Sequence, residues 1–181
     1  MELGVITDGF SRDFEHALKV LTEAGLDHAE LQFVWENEVG DHSEEEIGRI
    51  KSLADQYSVR ISCIYRHKST GLPVMDTEIG DAVYETHMDG LRRCIRMAKA
   101  VGAPLVRTMS FRKEMILFGG NGAQDWIVSQ GAWDRFLKLM EAPVRLAEDE
   151  EMTLVVETGN NSMITSGYLG RKFVDAMGSE R

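Results

Sequence analysis

Residues 98–110 read Ala98-Lys99-Ala100-Val101-Gly102-Ala103-Pro104-Leu105-Val106-Arg107-Thr108-Met109-Ser110. An amphipathic run carrying Met88, Leu91, Ile95 and Ala98 on one stripe stops at Gly102-Ala103-Pro104, and a strand from Leu105 to Ser110 follows at once. Glycine frees the backbone and proline removes an amide donor, so the helix ends there. A helix feeding straight into a short strand is half of a crossover unit, and the fold turns on whether that unit repeats.

It repeats on both sides. Upstream, Leu3 to Thr7 reads as a first strand, Ser11 as the cap of a helix with Phe14, Ala17, Leu18 and Leu21 on one face, and Gly25 as its stop. Ala29 to Val34 is the second strand. Ser43 and Glu46 form a capping box that opens a helix turning Ile47, Ile50, Leu53 and Ala54 inward and ending near Tyr57. Val59 to Tyr65 is the third strand. The loop from His67 to about Gly80, broken by Gly71 and Pro73, has a length that points equally to function or to mobility. A third helix spans about Ala82 to Val101.

Downstream, a loop containing Gly119-Gly120-Asn121-Gly122 precedes a helix from about Gln124 through Phe136, Met140 and Leu146, which Pro143 is expected to kink or restart. Thr153 to Glu157 is the fifth strand, and a last helix covers about Ser166 to Met177. Successive strands start about 26, 30, 46 and 48 residues apart, too unevenly for a solenoid and ordinarily for a barrel with loop insertions. An open doubly wound sheet would carry a glycine-rich turn after its first strand, and Asp8-Gly9-Phe10 is not that turn. The expected fold is therefore α/β, of the (β/α)8 TIM-barrel type, with about five of eight units present and residues 1–181 in a single domain.

Composition narrows the function. The chain is 43% hydrophobic and 28% charged, as in an ordinary globular domain. Its formal net charge of -10 disfavours nucleic acid and anionic membrane as partners. Cys63 and Cys94 lie in apolar segments without C-x-x-C spacing, which argues against a disulfide framework and for a reducing cytoplasm. No basic-then-apolar leader opens the chain, and no apolar run reaches the roughly 18 residues of a membrane helix.

Three segments carry a family resemblance: Gly25-Leu26-Asp27-His28-Ala29-Glu30-Leu31, Ala98 through Arg107, and Leu154-Val155-Val156-Glu157. In order and separation they resemble the xylose-isomerase-like barrels, the sugar isomerase and epimerase family, across nearly the whole chain. In that family the second strand often ends in an acidic-apolar pair, and the third helix runs through an A-x-x-x-G-A segment into the fourth strand. The fifth strand there ends in a metal-ligating glutamate, and three further strands supply an aspartate, a histidine and a second glutamate. The resemblance therefore implies a protein longer by about 100 residues, or a second chain that completes the barrel. It also implies a divalent metal (Mn, Mg, Co or Zn), with Glu157 as ligand and catalytic group. A sugar or polyol would be isomerised or epimerised by proton transfer through an enediolate.

Active sites of such barrels gather at the C-terminal ends of the strands. Glu157, after Leu154-Val155-Val156, reads as a metal or loop carboxylate, or more blandly as a salt-bridged one. Glu30 either faces the barrel interior as a substrate-orienting group or pairs with a basic side chain. His67 is placed to reach a metal or a sugar hydroxyl, or is a surface loop histidine. Arg107 suits a substrate anion, or neutralises Glu157 or Glu30. Asn160 and Asn161 offer hydrogen bonds to polyol oxygens, or serve a turn beside Gly159. Trp35 and Phe111 offer a wall for a sugar ring, or belong to the core. His16, His28, His42 and His87 make no H-E-x-x-H pattern and read as structural or solvated.

Rival readings remain: a lyase or dehydratase using the same proton abstraction, and a non-catalytic barrel or partner subunit. Abasic-site endonucleases share the barrel, but their chemistry needs strand-end histidines and a basic face, whereas strand four here ends in Met109-Ser110. Homo-oligomerisation stays open.

Overall fold

The structure, a computed structural model, describes residues 3–67, 69, 71–113 and 131–181. In chain order its main elements are β1 (Gly4–Ile6), α1 (Phe14–Glu23), β2 (His28–Leu31), β3 (Phe33–Val34), β4 (Asn37–Glu38), α2 (Glu44–Gln56) and β5 (Arg60–Tyr65). They continue with α3 (Ala82–Val101), β6 (Leu105–Met109), α4 (Ala132–Asp149), β7 (Thr153–Glu157) and α5 (Gly167–Met177). One five-stranded sheet runs in the order β1-β2-β5-β6-β7, and β3-β4 form a separate pair. This is the alternating parallel α/β arrangement expected from the sequence. No described helix is long and apolar enough to cross a membrane.

The residues divide into two compact units, Met1–Arg66 with Gly90–Arg107, and His67–Asp89 with Thr108–Arg181. In the first, β1, β2, β5 and β6 pair in parallel, with Ile6 beside Glu30, Glu30 beside Cys63, and Tyr65 beside Arg107. A register shift falls between Ala29 and Glu30. Helix α1 buries Phe14, Ala17, Leu18 and Leu21, the face its spacing requires. Its cap is Asp13, whose carboxylate accepts the His16 N–H, while the Ser11 hydroxyl accepts from Asp13 instead of capping the helix. Ser43 and Glu46 make the full capping box.

The expected strand Ala29 to Val34 is two elements. β2 ends at Leu31, and after Gln32 the chain turns into an antiparallel hairpin of β3 with β4, closed by Val39 N–H to Gln32 C=O. An uninterrupted apolar-looking run carries no local mark of this break, which hydrogen bonding to residues 37–39 creates. His28 opens β2, so it belongs to a strand.

The second unit is built on aromatic and aliphatic side chains of α3, α4, α5 and the loops, centred on Phe111, Phe136, Leu139, Met163 and Phe173. Helix α3 begins on Asp81, whose carboxylate accepts the Tyr84 N–H. Residues 114–130, which hold the Gly119-Gly120-Asn121-Gly122 loop and the helix expected from Gln124, lie outside the described residues.

Helix α4 runs unbroken through the buried Pro143 and does not restart there. Proline has no N–H, so the carbonyl four residues earlier, Leu139 C=O, loses its helical donor. The Tyr84 hydroxyl takes that place, donating to Leu139 C=O at 2.9 Å in the core. Burial, with Glu85 and Glu141 nearby, pushes the Tyr84 phenol above its ordinary value, so it stays protonated and a donor. Tyr84→Phe is expected to cost about 1–3 kcal/mol by orphaning a buried carbonyl. In a Pro143→Ala background, where a backbone N–H returns, the same change should cost under about half as much. Urea unfolding of the four proteins measures this coupling, and equal costs in the two backgrounds would refute it.

Candidate active site

The candidate residues fall in two groups, one in each unit. In the first, adjacent rungs of the sheet place Glu30 beside Cys63, and Tyr65 beside Arg107. Arg107 lies across three strands: its Nε is 2.7 Å from Glu30 Oε1, and its guanidinium sits 3.6 Å above the centre of the Tyr65 ring. Both charged side chains are about four-fifths shielded, each with 19% of its surface exposed, so solvent screens this pair less than a surface ion pair. The Cys63 thiol is pushed up to about 12, by burial first and by the charge of Glu30 second, with Arg107 opposing. Cys94 is likewise pushed up to about 12, chiefly by burial. Both are therefore protonated at neutral pH and neither is a nucleophile.

A second network lies in the same unit. Arg66, directly after β5, donates to Val39 C=O at 2.8 Å and meets Glu38 and Asp41 at 2.9 Å each. Arg93 of α3 grips Asp41 from its other side at 2.9 Å. Gly40, at φ +89°, lets the loop come within 3.2 Å of the Cys94 backbone nitrogen, measured from where a Cβ would stand. Its N–H donates to Met97 Sδ. The strand-end hairpin is thus bolted to α3.

Burial alone would raise the Asp41 carboxyl, but hydrogen bonds and charge from Arg66 and Arg93 outweigh it and hold it below the ordinary value. A depressed carboxylate stabilises the fold above its unfolded value near 3.8 and loses that contribution as the pH falls through its lower folded value. Urea unfolding between about pH 5 and pH 2 should therefore lose more stability in the natural protein than in Asp41→Asn. Parallel pH profiles for the two would rule the clamp out as the source.

Trp35 occupies the turn of the hairpin in the left-handed region, at φ +53°, with its N–H to Arg12 C=O at 2.6 Å. Its ring faces Arg49 at 4.7 Å and His42 edge-on at 6.2 Å.

In the second unit, backbone bonds lace together the loops that follow three strands. Arg112 bonds through its N–H to Leu72 C=O and through its C=O to the Val74 N–H. Met163 donates to Phe111 C=O, and Lys113 to Asn161 C=O. The buried Ser110 hydroxyl accepts the Ile164 N–H at 3.0 Å. Phe111 is fully buried and belongs to the core.

Glu157 is the last residue of β7 and is half-buried. Two residues on, a Cβ on Gly159 would stand 2.6 Å from Ser162 Oγ and 2.8 Å from Met109 Cε, so any larger residue would have to displace those side-chain ends. Asn160 and Asn161 are exposed in that turn, and Asn161 is held by its backbone carbonyl. His67 is exposed just after β5. Sequence reasoning missed Tyr65 and Arg66: neither spacing nor residue type marks them, because their partners lie on other strands and loops.

Among the described residues no three His, Cys, Asp or Glu side chains gather as metal ligands. Glu157 contributes one hard oxygen donor, not a set, so these residues alone do not fit a bound divalent ion.

A family model described as xylose isomerase-like TIM barrel matches residues 18–181. No curated protein sequence matches the chain significantly. Among solved structures, the probable 3-DHS dehydratase AsbF of Bacillus anthracis, involved in petrobactin synthesis, superposes with TM-score 0.71 at 14% identity, over 99% of this chain and 60% of that one. A D-allulose 3-epimerase from Methylomonas sp., in complex with D-allulose, gives 0.68 at 17% identity over 98% and 59%. A xylose isomerase-like TIM barrel protein from Mycobacterium smegmatis, in complex with magnesium, gives 0.59 at 19% over 92% and 53%. The chain thus spans a little over half the length of these proteins, and at such identities the likeness is one of fold.

Proposed function

The chain belongs to the xylose isomerase-like TIM barrel family, and on that premise we propose that it forms part of a sugar epimerase or isomerase acting by proton transfer next to a carbonyl. The observation that carries the reading is Glu157: a carboxylate at the C-terminal end of a barrel-type strand, followed by a turn packed closely at Gly159 against Ser162 and Met109. In this reading Glu157 takes a proton from the carbon beside the ketone while the C–H electron pair moves onto the carbonyl oxygen. A second acid on the opposite face, other than the residues assigned to the site, protonating that carbon gives the epimer; return of the proton from Glu157 to the former carbonyl carbon, with the adjacent hydroxyl proton passing to the former carbonyl oxygen, gives the isomer. In the first unit Arg107, held by Glu30 and Tyr65, would contact substrate hydroxyls, as would Asn161 and His67 of the second, and Trp35 would supply an apolar wall.

Of the described residues only Glu157 is placed to hold a divalent ion, so dependence on Mn, Mg, Co or Zn would require further ligands from outside them. Bound there, such an ion would polarise the carbonyl oxygen.

The test is exchange. The intact protein, supplied in turn with each of these ions, is incubated in D2O with D-fructose, D-allulose or L-ribulose, and deuterium at the carbon next to the carbonyl is read by NMR. Incorporation that EDTA abolishes and the ion restores supports the proposal. A folded, ion-supplied protein that exchanges no proton of any of the three sugars overturns it. A dehydratase would begin with the same proton removal but expel water, and a product lighter by one water would assign that reading instead.

A further inference from the structure

We infer that Tyr65 is a positioning residue for Arg107, an inference that rests on the strand ends being the sugar site. The sheet register makes the case. Tyr65 and Arg107 are neighbours on β5 and β6, whereas Glu30 lies on β2, beyond β5. To meet Glu30 at 2.7 Å, Arg107 has to cross β5, and the side chain beneath the crossing is Tyr65, whose ring lies 3.6 Å under the guanidinium. The negative face of the ring attracts the planar cation, and the Glu30 carboxylate holds its charge by ion pairing from the neighbouring strand. A long, many-rotamer side chain is thereby held in one orientation before any ligand arrives, which removes an ordering cost from binding.

Tyr65 itself is 3% exposed, so it acts through Arg107 and not on a sugar directly. Glu30 neutralises Arg107, which makes the guanidinium here a fixed set of hydrogen-bond donors for hydroxyl oxygens.

The experiment compares Tyr65→Phe, which keeps the ring face, with Tyr65→Leu, which keeps an apolar side chain but has none. In the deuterium-exchange assay Tyr65→Leu should raise KM roughly three- to thirtyfold with kcat within about twofold, and Tyr65→Phe, which keeps the ring face, should raise it distinctly less. Arg107→Lys, which keeps the charge and loses the planar face, should show the same rise in KM and serves if Tyr65→Leu does not fold.

A second readout does not depend on turnover. The Arg107 side-chain Nε–H resonance in a 15N spectrum should be shifted upfield by the ring in the natural protein and in Tyr65→Phe, and should return to the ordinary arginine position in Tyr65→Leu. An unshifted resonance, an unchanged KM in Tyr65→Leu, or Tyr65→Phe as impaired as Tyr65→Leu would each overturn the assignment. If no sugar exchanges at all while the ring-current shift is present, the sugar reading fails and the orienting role of Tyr65 stands.

Discussion

Glu157→Gln is expected to lower the rate of deuterium exchange into the ketose by about 10²–10⁴-fold, the range for removing a positioned general base. The two side chains are nearly the same size and shape, so the substitution removes the carboxylate's charge and proton-accepting capacity while keeping its volume. The local structure supports a clean result. The turn after β7 is closed by the backbone, Gly159 N–H to Ile164 C=O and Ser162 N–H to Gly159 C=O. Initial rates in D2O, taken with an ion supplied, measure the effect, and a melting curve confirms that the variant remains folded. If Glu157→Gln retained more than about a tenth of the natural rate, the general-base role would have to move to another residue.

Phe136→Ala should destabilise the second unit by about 3–5 kcal/mol, the cost of a large-to-small change in a packed core. Phe136 is fully buried, and its ring lies 5.5 Å from Trp133 and 5.1 Å from Phe173, tilted against both. Truncation removes the transfer energy of the ring, the ring–ring attraction on two sides, and leaves a cavity between α4 and α5 that helices fixed by their other contacts do not fill. Phe136→Leu, which refills most of that volume, should recover more than half of the loss. Urea unfolding monitored by circular dichroism reports both values. A loss under about 1 kcal/mol for Phe136→Ala would mean that this unit has no packed core around α4.

Much of the architecture is legible one residue at a time. α3 and β7 begin and end where periodicity and stops place them, at Ala82–Val101 and Thr153–Glu157. Gly25 and Gly178 close their helices with positive φ. These features depend on the few residues around them, which is why pattern reading finds them. The misreadings have a common cause. The stretch Ala29 to Val34 looks like one strand until Val39 pairs with Gln32. Pro143 looks like a break until Tyr84, 55 residues before Leu139 in the chain, supplies the missing donor to the Leu139 carbonyl. Ser11 and Asp13 are both good caps by residue type, and only the path of the chain into α1 selects Asp13.

The same division separates the parts of the candidate site. The sequence alone determined that this chain is an α/β alternation of the barrel kind and that Glu157 stands at a strand end, because strand, helix and cap signals are short-range. It also narrowed Arg107 to two roles. Only the tertiary structure paired Arg107 with Glu30 and brought in Tyr65 and Arg66, by setting β2, β5 and β6 side by side in one register and drawing residues 38–41 onto α3. Ion pairs and ring stacking act over a few ångströms of space, and distance along the chain carries no information about them.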